Sequence, residues 1–367
     1  MNREETQKLI NSIPNKYILL QLPTGFGKSK IALEKAFSHN LNAKILIVIP
    51  KIVLIDNWSC EFETWGYSED NVTYSTYLSL DKHLNEHFDT IIFDEGHHIT
   101  ERCADSIERM SFDNVIILSA TVKKEVMQRL HYLFPNLFVH KVSVRKAIEE
   151  EILPDPKVIL IPMELDNTTK TESYKKNNII YKVTKRGYYN HISCIIDNLK
   201  TLSMGGNMIM KRMWLTKAGQ RLKWLSSQKT PIVEEILKKL RYKKTLTFCN
   251  SIKQAECLCE YAIHSKNPQS DMFLLMFNRN EIRHISSVNI LDEGVNLKGC
   301  QVGIFANLNS SDRMIKQRLG RLLRHKKPYI IIPFFKNTRD EEIVNNMLLD
   351  YNPDLISIIN STKELKL

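Results

Sequence analysis

Short apolar runs alternate with amphipathic stretches through the first 160 residues. Residues 17–22, 44–49, 90–93, 114–118 and 157–161 are each rich in Ile, Leu and Val. Runs this short and this apolar predict strands of a parallel sheet, buried on both faces. Residues 29–39 carry the apolar spacing of a helix between two of them. Alternating strands and helices predict a doubly wound α/β domain. The pattern returns after residue 243, with strands expected at 245–249, 272–277, 287–291, 302–305 and 329–333, and a helix at 252–262. Thr338 and Glu341 form a capping box that predicts a closing helix through about Leu349, with a second helix after Pro353.

The stretch between these α/β regions reads differently. After its start it lacks apolar runs, is polar and basic, and is interrupted by Gly187 and by Gly205-Gly206. A mostly helical bridge is expected. The domain reading is therefore an N-terminal lobe over 1–163, a basic helical bridge over 164–241, a C-terminal lobe over 242–350 and a helical tail over 351–367.

Charge sharpens this picture. The chain carries a formal net charge of +11. Residues 166–244 hold 18 Lys and Arg against 5 Asp and Glu, a net of +13 that leaves −2 for the remainder. A concentrated basic excess suits contact with a polyanion, although a solvated face would share the composition. Lys185-Arg186 followed by Tyr188-Tyr189, and the basic residues between Trp214 and Trp224, put cations beside aromatic rings. Cations for phosphates and aromatics for bases suit nucleic acid, whereas the tryptophans more simply pack the bridge against a lobe. Seven scattered cysteines without a CxxC pair predict neither a disulfide framework nor a thiolate metal site. No run approaches the roughly 20 apolar residues of a membrane span, and the polar N-terminus does not read as a secretory signal, so a cytoplasmic setting is expected.

The chemistry begins after the first strand, at Leu22-Pro23-Thr24-Gly25-Phe26-Gly27-Lys28-Ser29. The strict phosphate-loop pattern has Gly where Leu22 stands. Its physical requirements survive: Gly25 and Gly27 let backbone N–H groups turn onto phosphates, Lys28 supplies a point charge, and the Ser29 hydroxyl can ligate Mg²⁺. A helix starting there adds its dipole. At the end of a later strand stand Asp94 and Glu95. A carboxylate at that place faces the crevice of a doubly wound sheet. Asp94 suits a Mg²⁺ held through water, and Glu95 suits orienting and deprotonating the attacking water. His97 and His98, adjacent at a strand end, are expected to point apart rather than to form a metal pair.

Thr24 to Ser29, with Asp94-Glu95-Gly96-His97, resemble motifs I and II of superfamily 2 helicases of the DExH type. Ser119-Ala120-Thr121 resembles motif III, which in that family couples the ATP site to nucleic acid. Gln7 stands where the family reads adenine. Pro50-Lys51 and Thr76-Tyr77 resemble strand-end loops that touch the nucleic-acid backbone. Ser251 closes a motif IV-like segment, and 292–297, containing Gly294, resembles motif V. Gln317, Arg321 and Arg324 match motif VI and would share one helix face at this spacing. The two arginines would act as arginine fingers on the γ-phosphate.

What the resemblance implies is two RecA-like doubly wound parallel-sheet lobes joined by the basic bridge, hydrolysing ATP with Mg²⁺. Loop residues Gln7, Thr24, Gly25, Phe26, Gly27, Lys28 and Ser29, with Gly294, would hold the nucleotide. Lys28, Asp94, Glu95, Gln317, Arg321 and Arg324 would act in hydrolysis, and Ser29 and Asp94 would hold the metal. Pro50, Lys51, Thr76, Tyr77, Lys185, Arg186 and Ser251 would meet the polymer. The resemblance is nearest to small two-lobe bacteriophage helicases related to recombination and branch-migration helicases such as UvsW. It implies a DNA motor in a bacterial or phage-infected cell, with an RNA helicase and an ATP-switched clamp as the alternatives. Two departures stand out: Leu22 replaces a small residue, and Asn296 replaces a common Asp.

Overall fold

The computed structural model describes residues 3–288, 297, 299–308, 327–349 and 351–367. The described chain divides into two compact units, the first within residues 3–155 and the second from Pro156 onward.

The first unit contains strands β1 (Tyr17–Gln21), β2 (Ile45–Ile49), β3 (Val72–Thr76), β4 (His87–Asp94), β5 (Ser111–Ser119) and β6 (Phe138–Lys141). They form one sheet in the order β3-β2-β4-β5-β1-β6, parallel throughout. Strand β2 shows why an unbroken apolar run is needed. Ile45, Ile47 and Ile49 enter the core on one face, while Leu46 and Val48 enter a second core on the other. A strand covered by helices on both sides has no position left for a polar residue.

The second unit holds β7 (Lys157–Met163), β10 (Thr245–Phe248), β11 (Ala262–Ile263), β12 (His284–Ser287), β13 (Val302–Phe305), β14 (Tyr329–Phe335) and β15 (Ile356–Ile358). Their order is β11-β12-β10-β13-β14-β7-β15, again all parallel. A separate antiparallel hairpin joins β8 (Glu172–Lys176) to β9 (Ile179–Val183). Helices Lys185–Ser203, Met208–Gln228 and Thr230–Lys239 follow it.

Several expectations are corrected here. Strand β7, read with the first lobe, pairs with β14 from Tyr329↔Lys157 to Phe335↔Met163 and so completes the second sheet. Residues 272–277, read as a strand, lie in the helix Ser270–Asn278, which buries Phe273 and Phe277 one turn apart. A continuous apolar run is compatible with either element, and here the helical spacing prevails. Strand β12 ends at Ser287, earlier than the expected 287–291, of which 289–291 lie outside the described residues. The expected tail helix is a short 3-10 turn, Pro353–Leu355, followed by the edge strand β15.

Gly187 does not break the bridge. It lies in the first turn of the helix Lys185–Ser203, where its N–H is donated to the Thr184 side chain at 3.0 Å. Gly206, by contrast, sits at φ 81 between two helices, a conformation that favours glycine. The helix Arg339–Leu348 starts at the expected cap residue Thr338, but the bonds are shifted by one position from a regular capping box. Thr338 accepts from the Asp340 N–H, and Glu341 reaches back to the Asn337 N–H.

Candidate nucleotide site

Strand β1 ends at Gln21 and the chain enters a loop that closes onto the helix Lys28–Ala36. Leu22 is completely buried in the core, and its N–H is donated to Ser119 O at 3.1 Å. The departure from a small residue thus fills space beneath the loop. Gly25 and Gly27 adopt φ 87 and φ 96, where side chains with a Cβ are strained. A Cβ added at Gly27 would stand 2.6 Å from Gln7 Nε2. Gln7 is itself buried, and its amide donates to Phe26 O at 3.2 Å. The first helix of the chain is therefore tied to the loop, and Phe26 anchors the loop from below in the core.

Across from the loop, β4 delivers Asp94 and Glu95. Glu95 adopts φ 55 and ψ 55, a left-handed conformation that a non-glycine residue adopts at a cost of about 1–3 kcal/mol. Gly96 follows because a Cβ there would meet Ile117 Cγ2 at 2.2 Å. Lys28 Nζ lies 3.8 Å from Glu95 Oε1, with both side chains mostly buried. That ammonium has no hydrogen-bond acceptor among the described residues. A buried cation without an acceptor, beside a left-handed glycine loop at a helix start, fits phosphate oxygens.

Asp94 is held from two sides. Trp58 Nε1 donates to its Oδ2 at 3.2 Å, and the Tyr77 hydroxyl donates to its main-chain carbonyl at 2.7 Å. Burial first, and then the Glu95 charge, push the Asp94 carboxyl up to about 6; Lys28 opposes them. Burial also raises Tyr77 well above the ordinary phenol range, with Asp94 and Glu95 adding to it. The donor set suits a hard divalent cation: a carboxylate at Asp94 and the half-buried hydroxyl of Ser29 offer oxygen ligands, and Mg²⁺ prefers oxygen.

His97 joins two motifs. Its Nδ1 stands 3.2 Å from Glu95 Oε2 and 3.2 Å from Ser119 Oγ, and Ser119 donates onward to Thr121 O at 2.9 Å. His97 and His98 do not point apart as expected. They share the 3-10 turn Gly96–His98, with ring centroids 4.3 Å apart. Trp58, Tyr77 and His97 are thus the supports of the acidic pair, and the sequence reading assigned none of them that role. Trp58 carries no spacing signal, whereas His97 stood inside a motif already singled out.

The expected polymer contacts divide. Lys51 is exposed and Pro50 half-buried at the end of β2, and Thr76 is half-buried at the end of β3. Tyr77 is buried against Phe93 and braces Asp94, which removes it from the surface. Arg186 donates to Asn337 O at 3.0 Å and Lys336 O at 3.2 Å, so its guanidinium ties the chain to itself. Lys185 lines a cavity of about 300 Å³ beside Glu164, Asp166 and Glu235, an acidic setting for a phosphate contact. Ser251 caps the helix Ile252–Leu258 and, with Lys223, Trp224, Asn250 and Lys253, lines a larger cavity of about 600 Å³ in the second unit. Gly294, Gln317, Arg321 and Arg324 lie outside the described residues. No described helix is long and apolar enough to cross a membrane.

Residues 228–326 match the helicase conserved C-terminal domain. The chain is similar to the DNA 3'-5' translocase XPB2 of Sulfurisphaera tokodaii, with 24% identity over 84% of this chain and 75% of that protein. Among solved structures, the Hef helicase domain of Pyrococcus furiosus superposes with a TM-score of 0.54 at 15% identity, covering 94% of this chain and 97% of that one. Saccharomyces cerevisiae Dbp5 bound to RNA and ADP BeF3 superposes with a TM-score of 0.62 at 11% identity, covering 98% and 89%. The two parallel-sheet α/β units of this chain have the fold of the RecA-like domains of helicases.

Proposed function

We propose that the chain is an ATP-driven nucleic-acid translocase or helicase of the DExH type, acting on DNA. The observation that carries this reading is the convergence of Gln7, Gly27, Lys28, Asp94 and Glu95 around one loop. Gln7 lies where adenine would be read, and the loop N–H groups and Lys28 face where β- and γ-phosphates would sit. Mg²⁺, when held by Ser29 and Asp94, neutralises phosphate charge. Glu95 orients a water and takes its proton as the water oxygen bonds to the γ-phosphorus; the bond to the β-phosphate oxygen breaks and ADP departs. By the motif resemblance, Arg321 and Arg324, with Gln317, would counter the charge that develops, and Gly294 would belong to the nucleotide-binding set.

The link from Glu95 through His97 and Ser119 to Thr121 supports a path from the γ-phosphate to the polymer. Pro50, Lys51, Thr76 and Ser251 contact the backbone, which positions without specifying sequence. The preference for DNA rests on likeness to a DNA translocase and on the motif resemblance to bacteriophage recombination helicases. The same resemblance motivates a cytoplasmic site of action, in a bacterial or phage-infected cell.

The deciding experiment measures steady-state ATP hydrolysis by the purified chain alone and with single-stranded, duplex and forked DNA and with RNA, alongside Lys28→Ala. Stimulation by DNA that disappears in Lys28→Ala is expected. Stimulation by RNA alone would reassign the track, and turnover indifferent to every polymer would overturn the motor reading.

A further inference from the structure

The first halves of β4 and β5 carry a polar cluster at the end of the first sheet remote from the glycine loop. His87 pairs with Ser111, Phe88 with Phe112 and Thr90 with Asn114. Residues two apart on a strand turn to the same face. His87 and Asp89 of β4 therefore share a face with Ser111 and Asp113 of β5, while Phe88 turns the other way into the core. Asp94 ends the same strand, seven residues beyond His87. That separation is about 23 Å along a strand, so the cluster is distinct from the nucleotide site.

Two carboxylates side by side on neighbouring strands repel each other unless a cation lies between them. Among the described residues, no lysine or arginine pairs with Asp89 or Asp113. The nearby Lys44 ammonium is taken by Glu86 at 2.9 Å. The Lys44 main-chain N–H is donated to Asp89 Oδ2 at 2.7 Å, which fixes that carboxylate and leaves its second oxygen.

His87 is oriented as a ligand would be. Its Nδ1 lies 2.8 Å from Ser111 Oγ. With Nδ1–H donated to that hydroxyl, the ring lone pair sits on Nε2, which stands 3.4 Å from Asp113 Oδ2. This is long for an N–H···O bond, which falls at about 2.7–3.2 Å. It matches two tetrahedral ligands each bound at about 2.1 Å, whose separation is roughly 3.4 Å. One ligand atom from each of His87, Asp89 and Asp113 lies within 4.8 Å of the other two. A small turn of the exposed Asp113 carboxylate closes the set.

We propose that His87, Asp89 and Asp113 bind a divalent transition-metal ion of the Zn²⁺ class, with Ser111 as the positioning residue for His87. One imidazole nitrogen beside two carboxylate oxygens favours such an ion over Mg²⁺ and Ca²⁺, which take all-oxygen sets. Three protein ligands on an open face leave the fourth position to water. The ion neutralises the two carboxylates and clips β4 to β5, strands whose far ends carry Asp94 and Ser119. This inference is independent of the proposed function.

The test uses the untagged full chain, stripped of metal by a chelator and kept free of nucleotide and phosphate. ZnCl₂ is titrated by calorimetry, CoCl₂ by visible absorption, and melting temperature is read with and without Zn²⁺. Wild type is compared with His87→Gln, Asp89→Asn/Asp113→Asn and Ser111→Ala. Wild type is expected to bind Zn²⁺ saturably, to melt about 5 °C higher when saturated, and to give a Co²⁺ spectrum without a thiolate charge-transfer band. His87→Gln and the Asn pair should weaken binding by at least about 100-fold, and Ser111→Ala by about tenfold. MgCl₂ at the same concentration should leave the melting temperature unchanged. Wild type without saturable Zn²⁺ binding would overturn the site. So would binding undiminished in His87→Gln and the Asn pair, or a thiolate band, either of which would move the ion elsewhere in the chain. If those variants instead lower the metal-free melting temperature and leave the Zn²⁺ response intact, His87 is an imidazolium partner of Asp113 and the metal site is again overturned.

Discussion

Lys28 Nζ and Glu95 Oε1 stand 3.8 Å apart, one at the start of a helix and the other 67 residues later, just past the end of a strand. The pair holds together two groups with opposite tasks, a cation for phosphate and a base for water. Phosphate entering the loop would compete for the ammonium and leave Glu95 to the water. Replacing Glu95 with Gln should therefore lower turnover by about 10²–10⁴-fold while nucleotide affinity stays within a fewfold of wild type. Single-turnover hydrolysis with a parallel binding titration separates the two; equal loss of binding and turnover would refute this division of roles.

Gly27 combines φ 96 with a site where a Cβ would press on Gln7 Nε2. Gly27→Ala should lose about 1–3 kcal/mol in urea unfolding and should bind adenine nucleotide more weakly. Gln7→Ala removes the obstructing amide but not the strained backbone. The double variant should therefore recover only part of the stability and none of the adenine preference.

Asp94 gives a pH dependence with a definite sign. Its carboxyl is pushed up to about 6 in the fold, above its ordinary 3.8, chiefly by burial. Between these values the folded chain binds more protons than the unfolded chain, so this group lowers stability as pH rises through that window. Without nucleotide, Asp94→Asn should gain melting temperature over wild type at pH 7.5, and the gain should shrink toward pH 4. Mg²⁺ with nucleotide should reverse the order at pH 7.5, because only the carboxylate binds the metal strongly. Differential scanning fluorimetry across that range reads both effects.

Lys229 and Asp340 form an ion pair at 2.7 Å with side chains 0% and 1% exposed. Burial lowers the Lys229 ammonium, and Asp340 opposes that shift. Lys229→Met alone strands a buried carboxylate and should cost about 3–5 kcal/mol in denaturant unfolding. Lys229→Met with Asp340→Leu should recover most of that loss, since a well-packed apolar pair is often as stable as a buried ion pair. A double variant no better than the single would show that the charges themselves hold the two helices.

Much of this protein can be read directly from its chain. The runs at β1, β2, β4, β5, β10, β13 and β14 follow from the apolar demand of strands buried on two faces, and local composition carries that demand. The glycine loop, Lys28 and the acids after β4 were equally legible, because phosphate chemistry restricts both residue type and position at strand ends. Tertiary structure alone decided that β7 joins β14, since an Ile- and Leu-rich run carries no label for its distant partner. It alone showed the β8–β9 hairpin, whose short, exposed strands are interrupted by lysines and depend on an Asn-Asn turn and an aromatic stack. Trp58 and Tyr77 became supports of Asp94, and Arg186 a tie to Lys336 and Asn337, only when segments 17 to 151 residues apart came within hydrogen-bond reach. Periodicity and motif chemistry are properties of neighbouring residues, whereas these supporting contacts are properties of packing.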